Sequence, residues 1–246
     1  MKSIHLLIVL IGTHTVFTGC GSDEVFDSGL QPIQYNPLEL GKFQEYAVDS
    51  TFYDDDGDNV FTISSFVREA IVDKIEDSTG NELYIIERAW RRDIAQEWVS
   101  LVLWQIRVDR GDIIRTEENL EFVSLNSPIQ EGNCWEAVLF DKTTIVKVVG
   151  ESIEMFKAWS SKLLSEGQME EIGGFDFDNV ITLRHADDEN AIERRFVEEK
   201  YQEGLGLVYK KMEILDTQCI EPCIGQTWAE KAESGFIMEA VIVAHN

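Results

Sequence analysis

From residue 46 onward, apolar and polar positions alternate with a period of two along most of the chain. Tyr46, Val48, Ser50 and Phe52 alternate with Ala47, Asp49, Thr51 and Tyr53, the repeat of a strand whose two faces meet different surroundings. Asp54-Asp55-Asp56-Gly57-Asp58-Asn59 is a turn cluster, and residues 60–75 beyond it are rich in β-branched and aromatic side chains. A second turn at Asp77-Ser78-Thr79-Gly80-Asn81 precedes a strand-like stretch at 83–90. Residues 98–108 (WVSLVLWQIRV) end at Asp109-Arg110-Gly111-Asp112, a hairpin signal. Further strands are predicted at 113–116, 120–125, 134–140, 143–149, 177–185, 191–201, 204–215 and 236–244.

One segment follows another period. Between Glu151 and Gly167, the residues Ile153, Phe156, Trp159, Leu163 and Leu164 fall at spacings of three and four, which predicts a helix ended by a glycine cap. A shorter helix is expected near 227–234. No fixed-period repeat and no break in composition divides the chain. The expected fold is mainly β: a single antiparallel sheet domain, open or closed barrel-like, with one or two helices.

The first residues follow neither period. Met1-Lys2-Ser3 supplies one positive charge, residues 4–11 (IHLLIVLI) are apolar apart from His5, and residues 12–19 are small or weakly polar. That order is the one of a secretory signal peptide, and the apolar run is too short to span a bilayer, which takes about 20 residues. The segment ends Phe17-Thr18-Gly19-Cys20, which resembles the bacterial lipobox. The resemblance implies a signal peptide over 1–19 and lipidation of Cys20, with several acyl chains anchoring the protein to the membrane. Cleavage elsewhere would leave Cys20 an ordinary thiol. Gly21-Ser22-Asp23-Glu24-Val25-Phe26-Asp27 is acidic and resembles the surface-export signal of Bacteroidota lipoproteins; it reads equally as a solvated tether. Gln31-Pro32 and Asn36-Pro37 mark extended chain, so 20–37 is read as an acidic tether and 38–246 as the β-rich domain.

Charge then narrows the partners. With 46 acidic against 21 basic side chains, the formal charge is -25. Nucleic acid is excluded as a partner, because its affinity comes from Lys and Arg displacing counterions. Loss of 1–19 would remove His5 and His14 and leave only His185 and His245.

Several stretches are similar to a large group of β-rich outer-membrane lipoproteins of Bacteroidota. They are Pro37-Leu38-Glu39-Leu40-Gly41-Lys42-Phe43-Gln44-Glu45-Tyr46, Thr116-Glu117-Glu118-Asn119 with Phe122-Val123, and Pro128-Ile129-Gln130-Glu131-Gly132-Asn133-Cys134-Trp135. Tyr201-Gln202-Glu203-Gly204-Leu205-Gly206-Leu207-Val208-Tyr209-Lys210 and Gly235-Phe236-Ile237 complete the set. The resemblance implies an envelope location, in the outer membrane and on its outer face if the export signal acts, and a β-rich fold. It brings no active site with it.

Candidate chemistry is sparse. The acidic run at 54–59 is expected as a hairpin turn, with calcium binding as the alternative; the EF-hand spacing fails, since Phe52 and Ile63 fall where ligands belong. Cys219 and Cys223 are the favoured disulfide among three remaining thiols, leaving Cys134 as a small buried apolar residue. No catalytic residue, metal ligand or cofactor is assigned, because none of the common catalytic or phosphate-binding signatures is present. Gly204-Leu205-Gly206 reads as part of a kinked strand, and His185, at a strand end before an acidic turn, as a surface histidine. The tryptophans at 90, 98, 104, 135, 159 and 228 serve either a β core or a ligand cavity. Arg88, Arg91 and Arg92 form a basic cluster that binds an anionic group or pairs with nearby acids. The resulting expectation is a non-enzymatic lipoprotein that reaches the membrane through lipid on Cys20 and binds an apolar ligand or an envelope protein. A hydrolase on a β scaffold and a structural subunit of a surface complex are the alternatives.

Overall fold

The structure is a computed structural model that describes residues 30–54, 59–78 and 80–246. The signal peptide, Cys20, the acidic cluster after it and the centre of the 54–59 turn lie outside the described residues.

Among the described residues fourteen strands follow in chain order. They are β1 (Phe43–Asp54), β2 (Asn59–Glu76), β3 (Glu82–Arg91), β4 (Val99–Asp109), β5 (Asp112–Glu117), β6 (Leu120–Leu125) and β7 (Cys134–Trp135). Then come β8 (Val146–Val148), β9 (Glu151–Ile153), β10 (Ser161–Ile172), β11 (Phe175–Glu189), β12 (Glu193–Gln202), β13 (Gly206–Asp216) and β14 (Ser234–His245). Twelve of them form one sheet in the order β6-β5-β4-β3-β2-β1-β14-β13-β12-β11-β10-β7, and β8 and β9 pair apart from it. Every pairing is antiparallel. The fold is therefore mainly β with an open sheet. Among the described residues the one α-helix is α1 (Trp228–Lys231), which covers Tyr53 and Leu215 on the outside.

Turn chemistry sets much of this order. Arg110 and Gly111 both have positive φ between β4 and β5, and Gly173 and Gly174 do the same between β10 and β11. Two consecutive positive φ values make the tight turn whose twist matches that of the strands it joins.

The sheet curls until its two halves face each other. One core cluster contains Ile71, Ile86, Trp104 and Ile113 from β2–β5 together with Leu163, Ile181 and Leu183 from β10 and β11. Those strands lie far apart in the sheet order, so only curvature brings them into contact. The two edges do not form a continuous ladder. A single segment spans the gap: Cys134 and Trp135 pair with Lys162 and Ser161 of β10, and Val138 makes a bridge to Phe122 of β6. The Val123 amide donates to the Ala137 carbonyl at 2.8 Å, and the Leu139 amide donates to the Glu121 carbonyl at 3.1 Å.

The structure overturns the helix expected at 151–167. Ile153, Phe156, Trp159 and Leu163 are all buried, so the spacing identified core positions correctly. The backbone instead runs through β9, a turn at 155–158 in which Ala158 takes φ 62°, and β10. Long-range bonds outweigh the local period here. Strand β11 needs an edge partner, which β10 supplies, and Arg195 donates from Nε to the Glu154 carbonyl at 3.3 Å. The strand expected at 134–140 is paired only at 134–135, the remainder being the edge-spanning segment. Packing also begins earlier than Leu38: Leu30 and Tyr35 belong to the core cluster of Ile71 and Leu125, so residues 30–37 are not free tether.

Candidate interior ligand site

The curled sheet encloses a cavity of about 290 Å³. Its walls are inward positions of alternate residues, as strand geometry requires: Tyr46 and Val48 on β1, Val67 and Glu69 on β2, Glu199 and Tyr201 on β12, Lys210 and Met212 on β13. One part of the lining is apolar, with Phe122, Phe156, Trp159, Met155, Met212 and Met238. The other part is charged.

Two carboxylates organise the charged part. Glu69 and Arg88 stand directly opposite each other on β2 and β3, 2.5 Å apart from Oε1 to Nη1, and Arg115 Nη2 reaches Glu69 Oε2 at 2.8 Å. Burial pushes the Glu69 carboxyl up, but Arg115 and Arg88 outweigh it and hold it below the ordinary glutamate range. Glu199 stands opposite Lys210 on β12 and β13. It meets Lys210 Nζ at 2.8 Å and His185 Nε2 at 3.0 Å, and accepts from the Tyr201 hydroxyl at 2.7 Å. Burial again raises its carboxyl, and Lys210 and His185 more than reverse that, placing it well below the usual range. Burial first and Glu199 second push the Tyr201 phenol well up. Arg115 also pairs with Glu117 through Nε at 2.6 Å. The guanidinium carbons of Arg88 and Arg115 lie 4.6 and 4.5 Å from the centre of the Trp104 ring, within cation–π range.

His185 is not the surface residue expected from its place before an acidic turn. It is 3% exposed, lines the cavity and stacks on Trp159 with ring centres 5.4 Å apart. Its Nδ1 lies 2.6 Å from Ser161 Oγ. A carboxylate can only accept, so Nε2 carries the proton toward Glu199. Hydroxyl, imidazole and carboxylate thus form a chain like that of a serine hydrolase, but the arrangement faces the wrong way. Ser161 is fully buried and lies behind the imidazole, outside the cavity lining, while the carboxylate faces the cavity. A substrate in the cavity would meet Glu199 and not the hydroxyl.

The structure sorts the remaining candidates. Trp104 and Trp159 line the cavity; the other four tryptophans do not. The arginine cluster divides, with Arg88 turned inward onto Glu69 and Arg91 paired with Glu45 at 3.4 Å. Cys219 and Cys223 are joined by a disulfide, with Cα atoms 5.7 Å apart. Cys134 is half-buried instead of being a core residue. Gly204 and Leu205 belong to the turn before β13 and not to the strand. Among the described residues no group of three or more His, Cys, Asp or Glu side chains is placed to hold a metal ion, and no helix is long and apolar enough to cross a membrane.

Sequence reasoning missed Glu69, Arg115, Glu199 and Lys210. A signal was present: each of Glu69, Glu199 and Lys210 sits between apolar or aromatic residues two positions away on the inward face, Val67 and Ile71, Val197 and Tyr201, Val208 and Met212. A lone charge within such an inward row is a buried charge and needs a partner.

No family model matches the chain, and no curated protein matches it. Two solved structures are similar in fold. A Bacteroides fragilis protein described as exported and as having a YmcC-like fold is 9% identical, with a TM-score of 0.43 over 85% of this chain and 97% of its own. A Parabacteroides distasonis protein described as a lipoprotein is 10% identical, with a TM-score of 0.41 over 88% of this chain and 99% of its own.

Proposed function

We propose that the chain is a non-enzymatic lipoprotein of the outer membrane, anchored through lipid on Cys20, whose β domain binds an apolar ligand in the interior cavity. The observation that carries the binding half is the cavity itself. It joins an aromatic and methionine lining to a few convergent polar groups, the composition of small-molecule sites. The anchor half rests on the signal-peptide pattern and on Phe17-Thr18-Gly19-Cys20. The burial of Ser161 behind His185 supports a binding role over hydrolysis.

Organic extraction of the purified protein followed by mass spectrometry tests the ligand. A stoichiometric apolar molecule is expected, and protein that neither carries one nor takes up an apolar fluorescent probe would end the reading. Cys20→Ala is expected to shift the protein out of the detergent-rich phase, and retention there would end the anchor claim. If the acidic cluster after Cys20 directs export, protease added to intact cells cleaves the protein.

A second reading, a subunit of a surface complex, draws on the outer face of β4. Val99, Leu101 and Leu103 are more than half exposed, and β5 pairs with β4 only from Gln105 onward, so this stretch combines apolar side chains with a strand edge. Cross-linking in cells that traps an envelope protein through residue 101 would favour it.

A further inference from the structure

We infer that the cavity selects an uncharged amphiphile: an apolar body carrying a neutral hydrogen-bond acceptor, such as an ester carbonyl, which takes the indole N–H of Trp104. The inference rests on the cavity reading above and narrows it to a ligand class.

The fixed charges of the polar wall already balance. Arg88, Arg115 and Lys210 stand against Glu69, Glu117 and Glu199, and each cation is in an ion pair with one of those carboxylates. A ligand bringing its own net charge would add a buried charge with no counter-charge waiting for it, which is the costly situation. An uncharged head adds none.

Hydrogen-bonding capacity points the same way. The carboxylates are engaged, Glu69 by two guanidiniums and Glu199 by an imidazole, an ammonium and a phenol. Two buried donors of the lining are left without a hydrogen-bond acceptor, Arg115 Nε and Trp104 Nε1, and the first already lies 2.6 Å from the Glu117 carboxylate. Trp104 is 8% exposed and lines the cavity, and its Nε1 has no partner among the described residues. A buried N–H is normally paired. The ring cannot turn freely to find an acceptor elsewhere, because the guanidiniums of Arg88 and Arg115 both lie against it. The complement to such a site is an acceptor delivered by the ligand.

The apolar wall completes the class. Met155, Met212 and Met238 stand with Phe122 and Phe156, and unbranched thioethers adapt to chains of differing shape. The volume of about 290 Å³ lies near the lower limit of small-molecule sites, about 300 Å³. It suits a short or medium chain better than a two-chain lipid.

Three probes with the same ten-carbon chain test this on the full chain carrying Cys20→Ala in detergent-free buffer: 1-decanoylglycerol, decanoate and decyltrimethylammonium. Each is titrated calorimetrically below its micelle concentration. The neutral ester is expected to bind about tenfold or more tighter than either ion, the worth of one buried hydrogen bond without an unpaired charge. Trp104→Phe, which keeps the ring and removes the donor, is expected to weaken the ester by about tenfold while leaving circular dichroism unchanged. Decanoate binding as tightly as the ester overturns the inference and leaves the cavity reading standing. An unaltered ester affinity in Trp104→Phe also overturns it. Binding of none of the three overturns both.

Discussion

The indole Nε1 of Trp135 donates to the carbonyl oxygen of Val123 at 2.8 Å, and that bond links the two ends of the twelve-stranded sheet. Trp135 is paired through its backbone with Ser161 of β10, whereas Val123 lies in β6, at the opposite edge. Without the 134–139 segment both edges would stand open, and the cavity would lose the wall from which Ala137 lines it. Trp135→Phe keeps the aromatic packing and deletes the donor. Chemical denaturation is expected to show a loss of about 1–2 kcal/mol, the cost of leaving the carbonyl unpaired. The Val123 amide, which donates to Ala137, should exchange faster with deuterium, and unaltered protection would show that the edges are held by other contacts.

The Glu199–Lys210 pair is predicted to matter more when broken than when removed. Glu199→Gln leaves the buried Lys210 without its nearest counter-charge and is expected to cost about 3–5 kcal/mol. Adding Lys210→Met should restore most of the loss, since the neutral Gln–Met pair leaves no buried charge without its counter-charge. A double-mutant cycle by urea denaturation measures the coupling.

Acid should weaken the fold through the same two carboxylates. Glu69 and Glu199 both titrate lower folded than unfolded. Their stabilisation is therefore complete above the unfolded glutamate value of about 4.3 and is lost as pH falls below it toward the folded values. Melting temperature followed from pH 6 to pH 2.5 is expected to fall on the acid side of about 4.3. The fall should be shallower in Glu199→Gln, and identical slopes in the two proteins would remove Glu199 from the account.

Gly235 is predicted to reject any side chain. Its φ is +110°, and a Cβ there would lie 2.0 Å from the Ile214 carbonyl oxygen, which belongs to the neighbouring strand β13. Backbone cannot move aside as a flexible side chain can. Gly235→Ala should cost about 3 kcal/mol or more, read by thermal denaturation, whereas Gly132→Ala should cost less, because a Cβ there meets nothing within 4 Å.

Strand positions could be read from sequence wherever alternation and turn residues agreed. The strand expected at 83–90 is β3, that at 113–116 is β5, and 120–125 is β6 to the residue. The 151–167 segment misled because burial at every third or fourth residue is also what a short strand, a turn and a second strand produce when all three pack on one core. The spacing located Ile153, Phe156, Trp159 and Leu163 as core but could not say which backbone carried them. His185 misled for a related reason. Its acidic neighbours Asp187 and Asp188 sit in the outward stretch of β11, while β11 itself runs on to Glu189 and holds the imidazole inside.

What the sequence determined by itself was local: which residues alternate and where two residues can reverse the chain. Those properties depend on neighbours a few positions apart, so they survive without knowledge of the rest. The tertiary structure decided everything that needs two distant strands. Ladder register sets Glu69 opposite Arg88 and Glu199 opposite Lys210, with His185 on the next strand β11, and the curl of the sheet adds Arg115 of β5 to Glu69 of β2. Among 46 acidic residues, the alternation marks those two glutamates as inward charges but does not name their partners. Their partners lie as far as 46 residues away in the chain, on strands whose pairing the local pattern does not give.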